Sequence, residues 1–185
     1  MPEADGPRLA PLSDAECTDE QRDLLAPLGA NASLNLFRTL VRHPKLYRRW
    51  EPFAGRLLVR STFSDREREL VILRVSSRCG ADYEWGHHVE IGRGVGLTDD
   101  EILRAGATDL DGAWPEPERT LLVAVDQLVD AHAIDEATWT ALEECYSDEQ
   151  LIELTLLAGA YAMLAGTINS LGIELEGGLP GLGEV

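Results

Sequence analysis

Glu84 and His88 stand four residues apart in the run ADYEWGHHVEIGRGVG, a spacing that puts a carboxyl and an imidazole on one face of a helix. Ile91 and Val95 continue that face. Asp82, Gly86, Glu90 and Arg93 fall on the remainder and mark its wetter side. A carboxyl turned toward an apolar interior is costly when ionised, so its pKa rises toward neutrality, where a general acid or base works best. Glu69 supplies a second carboxylate, on the preceding helical run with Ile72, Leu73 and Ser76. Glu69 and His88 are about equally far from Gly80, so an antiparallel pair of helices turning there brings them together. Such a contact orients the imidazole and tunes its proton affinity.

Plainer readings stand beside this one. A Glu–His pair at this spacing is also an ordinary surface helix contact. His87 is expected to face solvent, and Glu67 to belong to a helix cap. No metal is expected, because a site on Glu84 and His88 needs a third ligand and His43 and His132 are distant. Trp50, Phe53, Tyr83 and Trp85 read as core or pocket wall.

The elements that must position these residues are helical throughout. Thr18 with Gln21, and Ser64 with Glu67, have the form of capping boxes. Helices are predicted from about Thr18, after Ser33, over Pro44 to Arg60, from Ser64 to Cys79, over Ala81 to Val95, and from Thr98 to Gly106. Three more follow, over Glu118 to His132, Asp135 to Tyr146, and from Asp148 onward. Within these, Leu46, Trp50, Phe53, Leu57 and Leu58 are predicted to face inward. Leu154 to Ile168 carries no charge over fifteen residues, short of the roughly 20 that a membrane span needs. It is predicted to be a buried central helix. Nine helices and no sheet form one domain over residues 18–176. A flexible arm over 1–17 precedes it, a loop with Gly112 and Trp114 interrupts it, and a tail over 177–185 ends it.

Composition narrows the function classes. The 185 residues carry a formal net charge of −17, with 44% hydrophobic and 26% charged residues, a globular balance. Such acidity repels phosphate backbones and anionic lipid, so neither nucleic acid nor membrane is an expected partner. Cys17, Cys79 and Cys145 are too widely spaced for a disulfide framework or zinc motif. The start, MPEADGPRLAPLSDAE, is unlike a basic, apolar secretory leader, and a cytoplasmic location is expected.

Three stretches together resemble the carboxymuconolactone decarboxylase family: NLFRTLVRHPKLYRRW, FSDRERELVILRVSSRCGADYEWGHHVEIGRGVGLTDDEI and YAMLAGTINSLGIELEGGLP. The resemblance implies an all-α, AhpD-like helical bundle that assembles into dimers, trimers or hexamers, with the arm wrapping a neighbouring subunit. The family's peroxidase branch carries a Glu, a Cys-x-x-Cys pair and a His. Glu69 and His88 match the first and last, but Ala81 and Glu84 occupy the cysteine positions, and Cys79 lies two residues before the first. Thiol chemistry needs two sulfurs within disulfide reach, so peroxidase or disulfide reductase activity is disfavoured. The decarboxylase branch is matched by Arg66, Arg68, Leu70, Val71, Glu84 and His88. By this resemblance His88 and Glu84 move the proton, without a cofactor, and Glu69 tunes the imidazole. Tyr83, Trp50, Trp85 and Arg74 line the substrate site, Arg74 either turning in to hold an acid or out in a salt bridge. Retained Glu69, the aromatic pair Tyr83 and Trp85 and the N-terminal extension depart from the genuine decarboxylases. The expected function is acid–base chemistry (decarboxylation, isomerisation or hydration) on a small lactone or organic acid. Binding without turnover is the alternative.

Overall fold

Capping chemistry fixes where the helices begin. In this computed structural model, which describes residues 6–110 and 114–185, Thr18, Ser64, Thr98 and Ser147 each close a full capping box. Nine α-helices follow among the described residues: α1 (Asp19–Leu25), α2 (Asn35–Leu40), α3 (Pro44–Val59), α4 (Asp65–Arg78), α5 (Asp82–Gly94), α6 (Asp99–Gly106), α7 (Glu118–Ala131), α8 (Glu136–Glu143) and α9 (Asp148–Leu171). A 3₁₀ segment over Ala26–Ser33, which no sequence signal announced, joins α1 to α2. No strand occurs among the described residues. Gly112 and residues 1–5, including Pro2, lie outside them.

The centre of the fold is α4. It packs against α5, α6, α7 and α9, and every residue from Arg68 to Ser76 is buried. This corrects the expectation that α9 is the buried central helix. The α9 helix is apolar enough to pass for a membrane span by length and composition. It nevertheless buries only one stripe, including Leu151, Leu154, Leu157, Tyr161 and Ile168. Ile152, Leu156 and Met163 face outward. The α4 helix tolerates full burial because its charges are paired: Arg66 with Glu101 and Glu118, Arg68 with Glu69, and Arg74 with Asp126. Buried charges persist only with such partners.

Gly80 reverses the chain between α4 and α5 with a φ of 61°, a left-handed conformation that costs glycine nothing. The backbone N–H of Ala81 donates to the Ser76 carbonyl at 2.9 Å, which locks the reversal. The two helices then run antiparallel.

The chain ends pack as well. Residues 6–17, expected to be a flexible arm around a neighbour, lie on their own chain. The N–H groups of Arg8 and Leu9 donate to the Leu171 carbonyl, and Leu12 and Cys17 are buried. At the other end, Trp85 Nε1 donates to the Glu184 carbonyl at 2.9 Å, and the Leu182 N–H donates to Asp82 at 2.8 Å. The C-terminal tail thus folds back over α5. Leu46 and Phe53, expected inward, are exposed instead.

Trp85 is packed with no slack. A Cβ added at Gly106 would sit 2.7 Å from the Trp85 Cζ3 atom, closer than carbon atoms approach. Gly106→Ala is therefore expected to destabilise the protein by about 1–3 kcal/mol through overpacking. Chemical denaturation of both proteins reads this directly, and an unchanged midpoint would show that the ring can move.

Candidate active site

The antiparallel turn at Gly80 carries Glu69 to His88. His88 Nδ1 lies 2.6 Å from Glu69 Oε2, and Glu69 is completely buried. Arg68 Nε donates to the other carboxylate oxygen at 2.9 Å. Burial pushes the Glu69 pKa up, but His88 and Arg68 together outweigh it and hold this carboxyl below its ordinary value. An ionised Glu69 accepts from Nδ1–H, which leaves Nε2 as the basic atom of the ring. The ring edge also meets Tyr161 of α9, with centroids 5.3 Å apart.

One turn back on α5, Glu84 is in the opposite condition. Its side chain is 3% exposed, and neither of its oxygens has a hydrogen-bond partner. Burial alone raises its pKa from 4.5 to about 8. One helix face thus carries a carboxyl that keeps its proton near neutrality and an imidazole held by an ionised carboxylate. This is the surface-contact alternative resolved: neither Glu84 nor His88 is an exposed helix residue.

Both groups line a cavity of about 440 Å³, in the range of small-ligand sites. Its walls come from α2, α3, α5, α9 and the 3₁₀ segment, with Phe37, Trp50, Leu57, Tyr83, Tyr161 and Leu164 among them. Trp50 and Tyr83 therefore stand where the sequence predicts. A second hollow of about 420 Å³ between α7 and α9 brings only His132 as a titratable group.

Two predicted site residues are elsewhere. Arg74 is fully buried and bonds Asp126 through Nε at 2.6 Å and Nη2 at 2.7 Å. It also donates to the carbonyls of Ala105 and Ala107. It ties α4 to α6 and α7, so it neither reaches the cavity nor faces outward. Trp85 is core: it is fully buried with Leu70, Leu73, Val89 and Ile102, and it does not line the cavity. The reason is its place on α5, two positions from Tyr83, so that the two rings point to different sides.

One cavity residue and its carboxylate partner escaped the sequence reading. His87, expected in solvent, lines the cavity with its Nε2 2.6 Å from Glu176 Oε2. Its ring lies 4.6 Å from that of Tyr83. The Tyr83 hydroxyl donates to Glu176 Oε1 at 3.1 Å, and the Asn35 N–H reaches the same oxygen at 2.7 Å. Burial raises the Glu176 pKa, but Asn35 and His87 more than offset this and hold it low. The signal for His87 was its i,i+4 relation to Tyr83. Glu176 had none, because it comes from the coil after α9.

Residues 44–126 match the carboxymuconolactone decarboxylase family. The matched segment is a little under half of the chain. It spans α3 to α7 and contains Glu69, Glu84 and His88. No curated protein matches the chain. Among solved structures, the fold is that of an uncharacterised peroxidase-related protein with an alkylhydroperoxidase AhpD core from Ralstonia eutropha JMP134. The TM-score is 0.79 at 19% identity, with 95% of each chain covered. A peroxidase-related protein from Silicibacter sp. TM1040 gives a TM-score of 0.80 at 15% identity, over 96% of this chain and 95% of that one. A cysteine-to-alanine variant of the debrominase Bmp8, in complex with 2,3,4-tribromopyrrole, gives 0.76 at 16% identity, with 95% of each covered. The matched segment therefore sits in an all-α, AhpD-like fold.

Proposed function

We propose that this protein is a cofactor-independent acid–base enzyme whose proton-transfer pair is Glu84 and His88. The observation that carries the reading is the buried, unpartnered Glu84 carboxyl, one turn from a Glu69-anchored imidazole on the same cavity. His88 Nε2 takes a proton from a carbon next to a carbonyl, and Glu84 delivers its proton at the other end of the resulting enolate. His88 then holds the extra proton that Glu84 has lost, and solvent exchange restores both. Glu69 does not touch the substrate and acts as a positioning residue. Isomerisation and hydration of a small lactone use this pair, and decarboxylation uses the same acid to protonate the carbanion.

A thiol mechanism fits less well. All three cysteines are free. Burial and the nearby Glu84 carboxyl both raise the Cys79 pKa, which disfavours the nucleophilic thiolate.

Turnover of a panel of lactone acids, β-keto acids, neutral lactones and cyclic ketones, followed by carbon dioxide release and ultraviolet absorbance, tests the reading. His88→Ala is expected to lower turnover by about 10²–10⁴-fold, while Cys79→Ser keeps it. Full activity in a folded His88→Ala protein would remove the imidazole from the chemistry. Saturable binding with no turnover by wild type would support a ligand-binding protein instead.

A further inference from the structure

The charges around the cavity identify the class of molecule it accepts. Three carboxyl groups line it, Glu51, Glu84 and Glu90, and no Lys or Arg does among the described residues. Arg68, the guanidinium beside Glu69, is engaged by Glu69 and Asp65. Arg74 is engaged by Asp126 and carbonyls on the far side of α4. Each imidazole that could become a cation is already paired with a carboxylate, His88 with Glu69 and His87 with Glu176. A carboxylate entering here would lose its hydration without gaining a cationic partner, and would meet the repulsion of the Glu51 and Glu90 carboxylates.

The rest of the lining suits an uncharged guest. Leu36, Phe37, Trp50, Leu57 and Leu164 offer an apolar enclosure for a ring-sized body. The two orphaned oxygens of Glu84 offer one donor and one acceptor when the carboxyl holds its proton. Buried polar atoms without a partner inside an apolar cavity are where a bound molecule places its own polar group.

Resting on the proposed acid–base role of this site, we infer that its substrate is an uncharged, apolar-bodied carbonyl compound, such as a neutral lactone or cyclic ketone, and that carboxylate substrates are excluded. Among the reactions open to the site, this selects isomerisation or hydration over decarboxylation of an acid.

Three probes of one size, acetophenone, benzoate and benzylamine, separate the charge classes. Each is titrated into the full chain at neutral pH while backbone amide shifts of α5 are followed by NMR. Acetophenone is expected to bind, with benzoate at least about tenfold weaker. Ala54→Lys, which puts a cation into the lining, is expected to swing the preference toward benzoate. Benzoate binding as tightly as acetophenone to the wild type would overturn the inference and leave the acid–base reading intact. Benzylamine binding tightest would also overturn it, in favour of a cationic substrate. If none of the three moved an α5 amide at its solubility limit, the cavity would not be a binding site and both readings would fall.

Discussion

Glu69→Ala is expected to destabilise the folded protein by about 3–5 kcal/mol, a loss in the range measured when one partner of a buried ion pair is removed. Glu69 is completely buried and accepts from Arg68 at 2.9 Å and from His88 at 2.6 Å. Its removal leaves a guanidinium with 8% of its side chain exposed and an imidazole without its anchor. Glu69→Gln restores the shape but not the charge, and is expected to recover only part of the loss. The pair also makes stability depend on acid. Because the folded Glu69 pKa lies below its ordinary value, its contribution is fully present above that ordinary value and disappears as pH falls through the folded one. Urea unfolding at neutral pH and at acid pH checks both statements. A Glu69→Ala protein as stable as wild type at neutral pH would mean that water enters and solvates Arg68.

Glu84→Gln is expected to do the opposite and stabilise the protein at alkaline pH. The folded Glu84 pKa of about 8 exceeds its ordinary 4.5, so the folded state holds a proton that the unfolded chain releases. Stability from this group is fully present below pH 4.5 and declines as pH rises toward 8. At about 1.4 kcal/mol per pH unit, the loss across the window is on the order of 5 kcal/mol. Glutamine cannot ionise, so the variant escapes that decline. Equal pH dependence of wild type and variant between pH 5 and 9 would show that Glu84 ionises freely in the fold.

The residues that best announced themselves were those with a local signature. Capping boxes placed the starts of α1 and α4, and Gly80 placed the turn that joins Glu69 to His88. The i,i+4 rule put Glu84 and His88 on one face, and the structure puts that face on a cavity. What could not be read were long-range choices. Arg74 looked like a substrate ligand because its partner Asp126 lies 52 residues away. Charge was likewise a poor guide to depth: α4 begins DRERE and is buried from Arg68 to Ser76, whereas the apolar α9 keeps Ile152, Leu156 and Met163 outside. Pairing decides burial for a charged residue, and pairing is a property of the fold. Glu176 reaches His87 and Tyr83 from coil, where no periodicity points to a direction.

The central claim is that a carboxyl holding its proton near neutrality faces the cavity beside an anchored imidazole. Carbon-13 NMR of the side-chain carboxyl groups, titrated from acid to alkaline pH and assigned with Glu84→Gln, measures it directly. The account predicts a Glu84 titration centred at about 8, with the Glu69 carboxyl still ionised where Glu84 is protonated. A Glu84 midpoint near the ordinary 4.5 would contradict it, since the site would then present a plain carboxylate and no acid to donate.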